Sequence, residues 1–190
     1  ELTFLSFVWP EMESALGKVP PKLLVVGAAD PMWRGGLSSP NSMFLHAERP
    51  LVSENGTSAL LHELVRIVIR VRGQPKDAWI AEGSAEFYAG ELLYRAGGMS
   101  EARHDKLRRW LLDWGKDVKS LRLDRSTGPV TARAAVLLQD LDREIRRRTD
   151  DRRDLDDGVR KLMRIGKVSL ADLRTAAQEV IGGKATTLDS

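Results

Sequence analysis

The stretch His62-Glu63-Leu64-Val65-Arg66, together with Trp79-Ile80-Ala81-Glu82-Gly83 beyond a break at Gly73 to Pro75, decides how this chain is read. Thr57 or Ser58 can cap a helix carrying Leu60, Leu61, Leu64, Val65, Val68 and Ile69. These apolar residues surround much of the helix, so it is expected to be buried. Val65 to Val71 also alternates like a strand, and periodicity alone leaves both readings open. A second helix is expected from about Asp77 to Ala96, closed by Gly97-Gly98. A third begins near Ser100 and carries Leu107, Trp110, Leu111 and Trp114.

Upstream the pattern is mixed. Leu5 to Leu16 reads as a short helix that tolerates Pro10, and Pro20-Pro21 stops it. Lys22 to Ala28 and Ser42 to Ala47 are strand candidates. Residues 30 to 41, with Pro31, Gly35, Gly36, Pro40 and Asn41, read as loop. Downstream, after a Gly-Pro-interrupted connection, three more helices are expected. The first carries Ala134, Leu137, Leu138, Leu141 and Ile145, and the second Leu155, Val159, Leu162 and Met163. The third opens with a capping box, Ser169 to Asp172, and presents Leu173, Ala177, Val180 and Ile181 before Gly182-Gly183.

Composition bounds the possibilities. The chain has 190 residues, 42% hydrophobic and 30% charged, which suits one domain with a real core. No apolar run is long enough to span a membrane. Cysteine is absent, which excludes disulfides, thiolate metal sites and cysteine nucleophiles. The net charge is +3. The densest charged stretch, Asp140 to Lys161, interleaves arginines with acids and is expected to form a solvated, ion-paired face. Those acids weaken any field that would attract phosphates, so nucleic acid is not an expected partner. The chain opens at Glu1 without methionine, so a targeting signal or flanking domain is expected to have been removed.

Histidines four apart on one helical face bind a single zinc ion in H-E-x-x-H peptidases, and the adjacent glutamate is the general base. A third ligand from a following helix leaves one coordination position open. His62, Glu63 and Glu82 fill three of these roles, and Arg66 stands in the fourth. The chain resembles the catalytic domain of the glycyl-aminopeptidase branch of the gluzincin zinc metallopeptidases. The resemblance extends through Gly35-Gly36-Leu37, the helix of His62 to Arg66, Trp79 to Tyr88, and Leu92 to Ser100. It continues at Arg133 to Asp142, at Leu155-Asp156-Asp157 and along the closing helix from Ser169 to Gly182.

This resemblance implies a helix-rich α+β, thermolysin-like domain spanning 1–190. It would comprise a mixed α/β part at 1–56, zinc-type helices at 57–117 and a helical subdomain at 118–190. It implies zinc as the family's cofactor, with His62 and Glu82 as residual ligands and Glu63 as general base. Gly35, Gly36, Ser42, Met43 and Phe44 would flank a peptide substrate, with Ser42 to His46 as an edge strand offering main-chain hydrogen bonds. Two departures oppose activity. Arg66 replaces a ligand, and arginine has neither a lone pair nor an accessible neutral form. Thr131 stands at the position of the family's oxyanion tyrosine and is too short to copy a phenol. Tyr88 and Tyr94 are expected to pack. The expectation is therefore an impaired or inactive peptidase-like domain with little zinc, in which Arg66 pairs with Glu82 and also with Glu63. It would retain peptide or protein binding. The alternative is an active zinc peptidase that recruits Glu86 or His46 as a substitute ligand. His104, beside Asp105, is expected to be exposed. By the same resemblance, the periplasm or secretion is favoured over the cytoplasm. Oligomeric state is not legible.

Overall fold

The computed structural model describes residues 2–29 and 35–189. Among them, the elements in chain order are α1 (Leu2–Leu16), β1 (Leu24–Ala28), β2 (Gly36–Ser39), β3 (Ser42–His46), α2 (Ala59–Ile69) and β4 (Arg72–Gly73). Next come α3 (Ala78–Arg95), α4 (Glu101–Gly115), α5 (Pro129–Arg148), α6 (Leu155–Ile165), β5 (Lys167–Val168), α7 (Leu170–Ile181) and a 3-10 helix (Thr186–Asp189). The fold is helix-rich α+β, as expected. No helix among the described residues is long and apolar enough to cross a membrane.

Every helix read from the sequence is present. Ser58 caps α2 by accepting the Leu61 N–H on its Oγ at 3.2 Å. The strand alternative for Val65 to Val71 gives way to helix as far as Ile69. Leu61, Leu64 and Val65 are fully buried there. The capping box at Ser169 and Asp172 is formed in both directions.

Contacts group the chain into two compact units, residues 1–68 with 88–110, and residues 69–87 with 111–190. The first unit holds α1, the sheet, most of α2 and the end of α3 with the start of α4. Its sheet has the order β1-β3-β2, with β1 parallel and β2 antiparallel to β3. This corrects the expectation that Ser42 to His46 is an edge strand. β3 is central, so its main-chain groups are engaged on both sides and are not free for a peptide. Part of the expected loop is also strand. Pro40 and Asn41 form the two-residue turn of a β2–β3 hairpin, with Asn41 at φ 60°. Residues 30–34 of that loop expectation lie outside the described residues.

His104 is half-buried rather than exposed, and its ring stacks on Tyr94 with centroids 4.5 Å apart. Its Nε2 approaches Glu91 Oε2 at 3.4 Å, while Arg95 Nε donates to Glu91 Oε1 at 2.9 Å. The sequence suggested exposure because the flanking residues are charged, but the ring points toward α3. Tyr88, as expected, is packed in the core.

The second unit is built on α5. Asp142 accepts from the Leu155 N–H at 2.8 Å and from Arg146 Nε at 2.8 Å, tying the start of α6 to α5. Asp77, 2% exposed, accepts from Arg122 Nε and from the N–H of Leu170, the first residue of α7. Glu144, also 2% exposed, accepts from the Thr186 N–H, the Thr186 hydroxyl and the Thr187 N–H, each at 2.8 Å. The expected ion-paired face is present, with Arg143–Asp140, Arg153–Asp157 and Arg160–Asp157 among its pairs. Exposed pairs of this kind contribute roughly 0–1 kcal/mol each.

Two carboxylates, the half-buried Glu91 and the buried Glu144, predict the acid limit of stability. Burial pushes the Glu91 carboxyl up, but the contacts from His104 and Arg95 outweigh it and hold it at about 2. Burial likewise raises Glu144, and the donors of Thr187 and Thr186 bring it to about 2. Both values lie below the ordinary 4.5, so the ionised forms favour the folded state. Their contribution is complete above pH 4.5 and is lost as pH falls toward 2. The expected result is a stability loss on the order of 2–3 kcal/mol per group across that window. Urea unfolding at stepped pH would measure it, and a flat profile would refute it.

Candidate functional site

Helix α2 presents His62, Glu63 and Arg66 on a half-buried face, while Leu61, Leu64 and Val65 fill the core. The inner face of the sheet meets this helix. Strand alternation places Gly36 and Ser38 of β2 on one face with Met43 and Leu45 of β3, their register partners being Ser38↔Met43 and Gly36↔Leu45. Met43 and Leu45 are buried.

Glu63 lies directly over Gly36. A Cβ on Gly36 would fall 3.0 Å from Glu63 Cγ and 3.4 Å from its Oε1, so the second glycine of Gly35-Gly36 makes room for the carboxylate. Arg66, one turn along α2, brings its Nε close to two oxygens. It donates to Ser38 Oγ at 3.1 Å and stands 3.5 Å from Glu63 Oε2. The side chains of Glu63 and Arg66 are 12% and 39% exposed, so the carboxylate is the more enclosed partner. The Glu63 arm of the expected Arg66 pairing is thus present. Ser38 was not singled out from the sequence. Its signal was there, two positions after Gly36, but only once β2 is known to be a strand.

β2 is an edge strand. Gly35 C=O accepts the His46 N–H at 3.3 Å. Antiparallel alternation therefore turns the main-chain groups of Gly36 and Ser38 away from β3. Among the described residues, that side of β2 has no strand beside it.

The other candidate residues are placed as follows. Ser42 and Phe44 are half-buried on the central strand, on the face opposite Met43. His46 is 4% exposed, and its Nδ1 accepts the Glu48 N–H at 3.2 Å, which stabilises the turn after β3. Glu82 and Glu86 are half-buried, one turn apart on the part of α3 that belongs to the second unit. Thr131, in the first turn of α5 in that unit, is 9% exposed with its Oγ1 3.2 Å from Ser126 Oγ. Gly83 packs against α5 so closely that an added Cβ would lie 2.6 Å from Ala134 Cβ. Among the described residues, no group of three or more His, Asp or Glu side chains is placed to hold a metal ion.

A solved structure of an aminopeptidase N family protein from Idiomarina loihiensis superposes on 85% of this chain with a TM-score of 0.64 and 16% identity. At that identity the likeness is one of fold. This chain spans 35% of the length of that protein. No family model matches the sequence, and no curated protein matches it.

Proposed function

We propose that this chain is a peptidase-like domain in which hydrolysis is lost or strongly impaired and the binding of an extended peptide is retained. The observation that carries the reading is the position of Arg66 beside Glu63, with its guanidinium between that carboxylate and Ser38. A general base must turn a free carboxylate oxygen to a water molecule, and here the Arg66 guanidinium stands 3.5 Å from Glu63 Oε2.

The residues do not fit a catalytic zinc. His62 and Glu82 supply two ligands where three protein ligands are the rule, and Arg66 adds positive charge without a lone pair. The nearby cation opposes a divalent ion on Coulombic grounds as well. Thr131 carries only a short hydroxyl, which lies beside Ser126. The peptide would lie along the free edge of β2, where Gly36 and Ser38 offer main-chain donors and acceptors.

Fluorescence anisotropy with a library of labelled unstructured peptides tests this reading. Saturable binding that is unchanged by a chelator, without cleavage, supports it. Chelator-sensitive cleavage of amino-terminal residues would overturn it in favour of an active zinc peptidase using Glu86 or His46 as a substitute ligand. A second expected result concerns Arg66→His. That change raises zinc affinity in calorimetry by at least about tenfold, since a ligand is gained and a cation lost. It restores little turnover unless Thr131→Tyr is added, and full activity from the single change would refute the role given to Thr131.

A further inference from the structure

We infer that Arg66 is a positioning residue that clamps the free edge strand β2 onto helix α2. The inference draws on the preceding reading only where peptide affinity is concerned. Three observations within the first unit converge on it.

First, β2 is a weak strand by composition. Its four residues are Gly36, Leu37, Ser38 and Ser39, Leu37 is 61% exposed, and its burial alternates without any fully buried residue. Glycine and serine have little side chain with which to pack a pleated surface. A strand paired on one side and lacking buried apolar side chains belongs to the low-stability end of a fold.

Second, the sheet face of β2 that meets α2 is met by polar groups rather than apolar ones. Gly36 lies under Glu63, and Ser38 Oγ accepts from Arg66 Nε at 3.1 Å. The Arg66–Ser38 bond therefore supplies anchorage that Met43 and Leu45 supply to β3 by burial.

Third, the same Nε lies 3.5 Å from Glu63 Oε2, so the guanidinium is within ion-pair distance of the carboxylate while it bonds the strand. The residues that it fixes, Gly36 and Ser38, are those whose main-chain groups point to the free edge. Clamping them pre-orders the edge, and a peptide that adds there meets a strand already in register. Pre-ordering improves affinity by removing the ordering cost from the binding step.

Hydrogen–deuterium exchange on the whole chain tests the clamp without any ligand. By ladder alternation, Leu37 and Ser39 are the β2 residues whose N–H groups face β3. In Arg66→Ala these amides are expected to exchange roughly 3–10-fold faster, the loss of about one hydrogen bond, while α1 and α4 amides stay unchanged. Ser38→Ala removes one end of the clamp and leaves Glu63 and Arg66 in place, so it is expected to give the same local acceleration. It also keeps the test decisive should Arg66→Ala fail to fold. Unchanged β2 exchange in a folded Ser38→Ala variant would overturn the clamp, as would acceleration spread evenly over the unit. Where wild type binds a labelled peptide, both variants should weaken it by a similar factor. Failure of every variant and of wild type to bind peptide would count against the functional reading, while the exchange data would still decide the clamp.

Discussion

Gly83→Ala is expected to destabilise the chain by about 1–3 kcal/mol, although alanine is the better helix former by about 1 kcal/mol. Gly83 lies in the interior of α3, where an added methyl would sit 2.6 Å from Ala134 Cβ and 3.1 Å from the Ala134 carbonyl carbon. Ala134 is on α5 and fully buried, and one of the two clashing atoms is backbone, so neither side can yield by rotating a side chain. The steric term exceeds the propensity term, and Gly83→Leu is expected to cost more than Gly83→Ala. Gly158→Ala provides the opposite sign. Gly158 is also inside a helix, α6, but nothing lies within 4 Å of its added Cβ and its φ is not positive. Only the gain in backbone entropy and helix propensity remains there, so stability should rise by about 0.5–1 kcal/mol. Urea midpoints of the two alanine variants, followed by circular dichroism, check both signs. A neutral Gly83→Ala would show that α3 and α5 do not pack as described.

Glu144→Ala carries the other large expected effect, a loss of roughly 3 kcal/mol. One carboxylate serves three donors of the closing segment, and Arg148 Nη1 reaches Oε1, the oxygen that serves Thr186, at 3.5 Å. Removing it leaves the first turn of the 3-10 helix without acceptors and an enclosed space where the carboxylate stood. The effect should be local before it is global. Arg174 Nη2 still donates to the Leu188 carbonyl at 2.7 Å, and an Arg148–Lys184 carbonyl bond remains. Limited proteolysis should therefore cut within residues 182–189 first, and at lower protease concentration than in wild type. Glu144→Gln retains one acceptor oxygen and should fall between the two. An unchanged proteolytic pattern in Glu144→Ala would show that the carboxylate is not the anchor of this segment.

Both effects join parts of the chain that sequence patterns treat separately. Helix identity was legible because apolar spacing and caps are local signals, as in α2 with Ser58 or α7 with Ser169 and Asp172. The meaning of Gly83 was half legible. It stood out as the close of Trp79 to Gly83, and Arg133 to Val136 stood out separately, but only packing shows that the glycine admits Ala134. The Glu144 anchor was not legible, since its partners lie 42 and 43 residues away and hydroxyl-rich segments carry no periodicity. β2 was hidden because Gly36, Ser38 and Ser39 are poor strand formers flanked by Pro40 and Asn41. The resemblance made Ser42 to His46 the edge strand, a place that β2 occupies instead. Ser38 was lost with β2. His104 was misplaced because its charged neighbours on α4 outnumber the one residue, Tyr94, on which it stacks.

Within the candidate site, the sequence carried the pairing of residue types and the structure supplied the partner. The pairing of Arg66 with Glu63 was part of the expectation drawn from the resemblance, and their i, i+3 spacing on α2 permits it. The attachment of Arg66 to the sheet was not foreseen, because it depends on a side chain 28 residues earlier in the chain. A guanidinium suits that place because it can serve an uncharged hydroxyl and a carboxylate at once.

In the proposed reading an arginine stands where a zinc peptidase holds its metal, and metal stoichiometry tests this most directly. Protein purified without a metal-affinity step, incubated with equimolar zinc and desalted, should retain well below one zinc per chain by mass spectrometry of the elements. Arg66→His treated in the same way should retain more. One zinc per chain in the wild type, removed by a chelator together with peptide cleavage, would contradict the account.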